Sequence, residues 1–298
     1  MKFKAEFLIA SIILIIVISA LPITACAGKP SKPGTRPTTV TLQASTLGAY
    51  RWLDVANYPY SSNYRTTYYY SSATVTVSFL SSGSVFEGTL TAKGLKPNFA
   101  YQLKLEGIPG TASNELIGLV GRWWQEEWSG TAWINGLNLN NKGSGTSPNP
   151  NDITYSQNKG VPDSTSPTGY HYRYTGYLIF KYFITDSRGA AKISFRADSS
   201  YHVLWKTTQA THTSSDGPIV TSSFDPNPNQ LPYGSDYPPA TVNVFGEWER
   251  LPVGATLLKV GQYKCKISLT EESFHGDGGT YSGNWAKALE ASISFKIK

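Results

Sequence analysis

The chain has 298 residues and a formal net charge of +6, with 15% charged and 13% aromatic residues. That length allows one large or two small domains. The basic residues are spread thinly, with no Lys/Arg run dense enough to follow a phosphate backbone, which excludes nucleic acid as a partner. The two cysteines, Cys26 and Cys265, exclude a disulfide-built scaffold.

At the start of the chain, Lys2 and Lys4 precede an almost wholly apolar run from Phe7 to Ile23. Basic start, apolar run and small residues follow the order of an export signal. The run is close to the lower length limit of a membrane-crossing helix, so an uncleaved anchor is the alternative. Ile23-Thr24-Ala25-Cys26 resembles the lipobox of prokaryotic lipoproteins, in which a small residue precedes the cysteine that receives lipid. The resemblance implies lipidation of Cys26 and a tether to the membrane. Ala25-Cys26-Ala27 also fits ordinary cleavage, which would discard Cys26 and release the protein. Residues 1–26 are therefore read as signal peptide or membrane anchor. Residues 27–38 are read as a flexible spacer, because Gly28 to Pro37 holds three prolines, three basic residues and no large apolar side chain. The expected location is exported, at the cell surface or anchored outside the cytoplasm. The chain has no Asn-x-Ser/Thr acceptor, which agrees with a prokaryotic surface.

Beyond the spacer the signals are those of strands. Val75, Val77 and Phe79 alternate with Thr74, Thr76 and Ser78; Tyr101, Leu103 and Leu105 alternate with Gln102, Lys104 and Glu106. "AKISFRAD" (191–198), "QYKCKISLT" (262–270) and "ASISFKIK" (291–298) follow the same rule, which predicts sheets with one buried and one wet face. Cys265 falls on the inward series, as a core thiol. "GYLIFKYFITD" (176–186) is apolar on both sides and reads as a central strand. Asp186-Ser187-Arg188-Gly189 predicts a hairpin turn into 191–197. "TVNVFGEWE" (241–249) supplies a further strand. "NELIGLVGRWWQEEW" (114–128) allows a short helix, limited by Gly118 and Gly121, and "GNWAKALEA" (283–291) one helical turn. Asn, Gly, Ser and Pro dominate 138–170 and 207–240, which read as two long surface excursions from a single elaborated domain, 39–298.

"GLKPNFAY" (94–101) resembles the turn of fibronectin type III domains, carried by Leu95, Pro97 and Tyr101. In that family the tyrosine hydroxyl bonds back to nearby backbone. The resemblance covers under a tenth of the chain and implies architecture only. With the alternation it gives the expected fold: all-β, an immunoglobulin/fibronectin-like β-sandwich with long loop insertions.

Catalytic signatures are missing. His171, His202, His212 and His275 show no tight ligand spacing. Glu126-Glu127 and Glu271-Glu272 are adjacent pairs rather than separated cleft carboxylates. No phosphate loop, dinucleotide fingerprint or nucleophile elbow occurs, so neither catalytic residues nor metal or other cofactor is expected. The surplus is aromatic. Trp123, Trp124 and Trp128, with Tyr68 and Tyr70, are the candidate ligand-binding residues, because Trp and Tyr give large contact area and keep a polar tip. Within a strand Trp123 and Trp124 point to opposite faces, so only one joins a given platform. The expected function is a non-catalytic, surface-anchored protein with a binding or structural role at the envelope. A glycan-binding module is the first alternative and an extracellular hydrolase or metal-dependent enzyme the second. Expected partners are the membrane, through lipid or helix, and envelope polysaccharide or a surface protein.

Overall fold

The computed structural model describes residues 37–139, 150–213, 216–250, 257–272, 274–275 and 285–298. The apolar run, Cys26 and most of the expected spacer lie outside the described residues. Those described belong to one compact unit.

The elements are β1 (Thr38–Thr41), β2 (Gln43–Gly48), α1 (Ser62–Thr67), β3 (Thr74–Phe79), β4 (Ser82–Gly83), β5 (Glu87–Lys93), β6 (Ala100–Glu106), α2 (Ala112–Val120), β7 (Arg122–Trp128), β8 (Trp133–Leu139), α3 (Pro150–Asn158), β9 (Tyr172–Ile184), β10 (Ala191–Arg196), β11 (Ser200–Lys206), β12 (Val220–Phe224), β13 (Ala240–Arg250), β14 (Gly261–Glu272) and β15 (Trp285–Ile297). The fold is all-β. A small sheet runs β1-β3-β5-β10, and a large one runs β12-β13-β11-β9-β6-β14-β15-β2. The large sheet branches at β9, where Tyr172–Tyr177 pair with β7 while Tyr177–Ile184 pair with β6.

The two sheets close on one core. Val75, Val77, Phe79, Leu90 and Phe195 come from the small sheet; Leu103, Leu105, Phe180, Tyr263, Cys265, Ile267 and Phe295 come from the large one. Each such side chain contributes about 2 kcal/mol by leaving water. Phe295 stacks on Phe86 at 4.2 Å and on Tyr263 at 4.9 Å. The Cys265 thiol is buried and free, and desolvation pushes it up to about 12.

Alternation locates the core face of each strand, but several strands lack the expected wet face. Gln102 and Lys104 on β6, and Ser268 and Thr270 on β14, are buried as well. A second apolar cluster, including Ile179, Tyr182, Tyr201, Leu204, Val244 and Phe274, forms apart from the main one. The turn at Asp186 has the expected chemistry: its Oδ1 accepts the N–H groups of Arg188 and Ala190, both at 2.8 Å, and Gly189 has φ +70°. It does not close a hairpin. β10 pairs with β5, not β9, so the turn carries the chain from one sheet to the other. Leu42 marks the same kind of crossing between β1 and β2, its N–H bonded to Val75 O at 2.9 Å.

"GNWAKALEA" was expected to hold a helical turn, but β15 already begins at Trp285. Pairing with β14 along its length overrides the helix propensity of Ala, Lys, Leu and Glu. The two excursions also carry structure: α3 lies within 138–170, and β12, paired with β13, within 207–240. The short helix in 114–128 is α2, capped by Thr111 Oγ1 accepting Asn114 N–H at 3.2 Å. Among the described residues no helix is long and apolar enough to cross a membrane.

Candidate functional site

Among the places where the described residues combine aromatic rings with charge, two are built around several rings. The first is a cleft of about 710 Å³ between α2, α3 and the start of β9. Period two along β9 turns Tyr172 and Tyr174 the same way, and both line the cleft with Tyr170, just before the strand, and Tyr155 of α3. Asn114 on α2 fixes this wall by donating Nδ2–H to Tyr174 O at 2.8 Å and accepting Gly176 N–H at 2.7 Å. Gly176 is required there, since a Cβ would stand 2.4 Å from Asn114 O.

Trp123 lies behind the cleft. It is fully buried, stacks on Tyr155 at 3.8 Å and 12°, and donates Nε1–H to Asp152 Oδ1 at 3.2 Å. Tyr155 and Tyr174 meet edge-on at 5.1 Å. Burial raises both phenols, Tyr174 to about 12, so both are neutral donors at ordinary pH. Charges rim the cleft. Lys159 Nζ reaches Glu115 Oε1 at 2.8 Å and lies 4.9 Å above the Tyr155 ring. Arg173 grips Glu126 through Nε and Nη2, at 2.9 and 2.8 Å. Tyr170 is the open ring, 49% exposed.

The second place is closed. Lys96 Nζ is fully buried, 2.6 Å from Glu271 Oε1, and donates to Arg51 O. Rings surround the ammonium: Trp52 at 4.1 Å, Phe99 at 5.0 Å, Tyr50 at 5.3 Å and Tyr70 at 5.7 Å. Desolvation pulls Lys96 down to about 8 against the opposing pull of Glu271. The Tyr101 hydroxyl accepts Lys96 N–H at 3.1 Å and meets the Tyr70 hydroxyl at 2.8 Å. Nearby, Asp54 accepts from Tyr233 Oη, Ala56 N and Tyr58 N, yet burial lifts its carboxyl to about 6.

The candidate residues therefore separate. Trp123 and Tyr70 are shut off from solvent. Trp124, on the opposite face from Trp123, is half-buried against Trp285 at 6.0 Å. Trp128 is half-buried and pairs edge-on with Trp133 at 5.3 Å. Tyr68 packs between Tyr64 and Tyr70, bonds Gly94 O, and edges a smaller cleft of about 450 Å³. No common platform joins Tyr68 and Tyr70 to the tryptophans: the rings meeting Tyr70 are Tyr50, Tyr68 and Tyr101, and those meeting Trp123 are Tyr155 and Tyr174. The cleft tyrosines are not among the candidate rings expected from the sequence, although "YHYRY" carries a period-two signal.

The histidines divide too. His171 Nδ1 meets Asp163 Oδ2 at 3.1 Å, and His212 Nε2–H donates to Gly217 O at 2.8 Å. His202 lies 3.2 Å from Glu247 Oε2, with its ring 6.0 Å from that of His275. Among the described residues no group of three or more His, Cys, Asp or Glu is placed to hold a metal ion. No family model, curated protein or solved structure matches this chain.

Proposed function

We propose that the protein is a non-catalytic component of a prokaryotic cell envelope, tethered through Cys26, that binds polysaccharide in the tyrosine cleft. The carrying observation is an open groove in which Tyr170 is exposed and Tyr172 half-buried, floored by the buried Tyr155 and Tyr174 and rimmed by Glu115, Lys159 and Arg173. Sugar rings stack their C–H faces on aromatic rings while their hydroxyls take hydrogen bonds from a polar rim. Neutral phenols beside a guanidinium and an ammonium suit a hydroxyl-rich chain. Tyr170, nearly half exposed, offers the first stacking face. An immunoglobulin/fibronectin-like sandwich is the reading of the architecture that goes with this role; the Tyr101 hydroxyl tied back to Lys96 N–H supports it. The lipobox-like Ile23–Cys26 stretch supports the tether.

Fluorescence titration of the full chain with neutral and acidic soluble polysaccharides tests binding. A saturable change is expected for at least one, weakened about tenfold in Tyr170→Ala, the size of one lost stacking contact, with an unchanged melting temperature. Flat titrations across the panel refute the cleft as a glycan site. Intact mass of the protein purified from membranes tests the tether. Lipid on Cys26 is expected, and an unlipidated chain beginning after Ala27 refutes it.

A further inference from the structure

Lys96 lies in the corner between β5 and β6, and Glu271 near the end of β14. Register brings them together, because Glu271 stands opposite Tyr101 on β6, and Tyr101 is tied to the corner through Lys96 N–H. The two side chains are 0% and 1% exposed, with Nζ 2.6 Å from Oε1. Glu271 is held from both sides: Arg51 N–H donates to Oε2 at 2.6 Å, and the Tyr70 hydroxyl donates to Oε1. Nζ also meets the Arg51 carbonyl and the four rings, and the Arg51 charge acts on it as well.

A buried ion pair of this kind pays for two desolvations with one attraction. Passing one proton from Nζ to the carboxylate leaves a neutral amine touching a neutral carboxylic acid. Burial disfavours the ammonium form of Lys96, which is pulled down by desolvation. Amine and carboxylic acid are the two reactants of amide condensation. Here they are in contact, fixed in orientation and screened from water, the conditions under which proximity replaces chemical activation.

We propose that Lys96 and Glu271 become joined by an intramolecular isopeptide bond that the protein forms itself. The Nζ lone pair attacks Glu271 Cδ. Tyr70 O–H and Arg51 N–H stabilise the negative charge that gathers on the oxygens. The Nζ–Cδ bond forms and one Cδ–O bond breaks. The departing hydroxyl takes a proton from Nζ and leaves as water, so no oxidant, reductant or co-reactant enters. The product amide is uncharged, which removes the burden of two buried ions. It also ties the β5–β6 corner to the end of β14, a constraint that exported proteins commonly obtain from disulfides. The inference is independent of the polysaccharide reading.

The test is a tryptic digest of the purified full chain. Pro97 blocks cleavage after Lys96, so Lys96 stays in the peptide 94–104 and Glu271 falls in 267–287. Expected is one branched species, lighter than the sum of the two peptides by one water, about 18 Da, with fragmentation placing the branch at Lys96 and Glu271. Lys96→Arg returns both peptides as linear chains. Its intact mass also differs from wild type by one water more than the residue change explains. Full recovery of the two linear peptides from wild type, or a branch at other residues, overturns the proposal. The wild-type digest decides alone, so a Lys96→Arg chain that fails to fold leaves the test intact.

Discussion

Trp123→Ala distinguishes a core tryptophan from a binding one. The indole is fully buried, sandwiched against Tyr155 at 3.8 Å, edge-on to Tyr174 at 6.0 Å, and bonded to Asp152. Gly118 is cut back to admit it, since a Cβ there would sit 2.3 Å from the ring. A void under α3 cannot collapse without moving the helix that carries Asp152 and Tyr155. Truncation of a buried Trp costs about 3–5 kcal/mol. At roughly 2–4 °C per kcal/mol for a chain of this size, a central cost of about 4 kcal/mol lowers the melting temperature by roughly 8–16 °C. Urea unfolding followed by far-UV circular dichroism gives the same quantity, as a lower midpoint at unchanged slope. Trp128→Ala, taken from a half-buried edge pair, should cost about 1 kcal/mol or less by the same argument and serves as the control. A Trp123→Ala midpoint equal to that of wild type would refute the core assignment. So would loss of polysaccharide binding at unchanged stability, which would return Trp123 to the ligand surface.

Three further outcomes follow from particular contacts. Asp54 titrates at about 6 when folded and near 3.9 when unfolded. The native state therefore binds the proton more tightly, and the contribution is fully present below about pH 4 and lost as pH rises through 6, roughly 3 kcal/mol in all. The stability of wild type relative to Asp54→Asn should fall by that amount between pH 4 and 7 in urea titrations, and a flat difference contradicts the assignment. Cys265, buried with its thiol raised to about 12, should not react with a thiol reagent until the chain is unfolded; rapid labelling of native protein would show that β14 opens. Gly176→Ala places a Cβ against the backbone of α2, so thermal unfolding should show a loss of about 1–3 kcal/mol, the range for overpacking, and an unchanged melting temperature would mean that α2 moves freely over β9.

How much of this was legible in the sequence depends on whether the deciding interaction is local. Strand identity is local: Val75, Val77 and Phe79 announce their face through period two, and the structure buries all three. Partner choice is not. Nothing in Asp186–Gly189 says whether the next strand folds back on β9 or crosses to β5, because the same Asp and Gly chemistry serves either turn. The second buried face of β6 and β14 is equally distant in origin. Gln102, Ser268 and Thr270 look like solvent residues, yet the folded chain buries all three. Lys96 and Glu271 show the limit most sharply. Each reads alone as an ordinary surface charge, and only the register that sets Glu271 opposite Tyr101 makes them neighbours. The cleft tyrosines fall between these cases. Tyr170, Tyr172 and Tyr174 carry a readable alternation, but outward from a sheet or inward to its core is settled by α3, which stacks Tyr155 on Trp123 and leaves Tyr170 open. Aromatic abundance is therefore a weak guide to function. What separates a binding ring from a core ring is the element that covers it, and in this chain that element comes from within one of the segments that composition alone marks as loop.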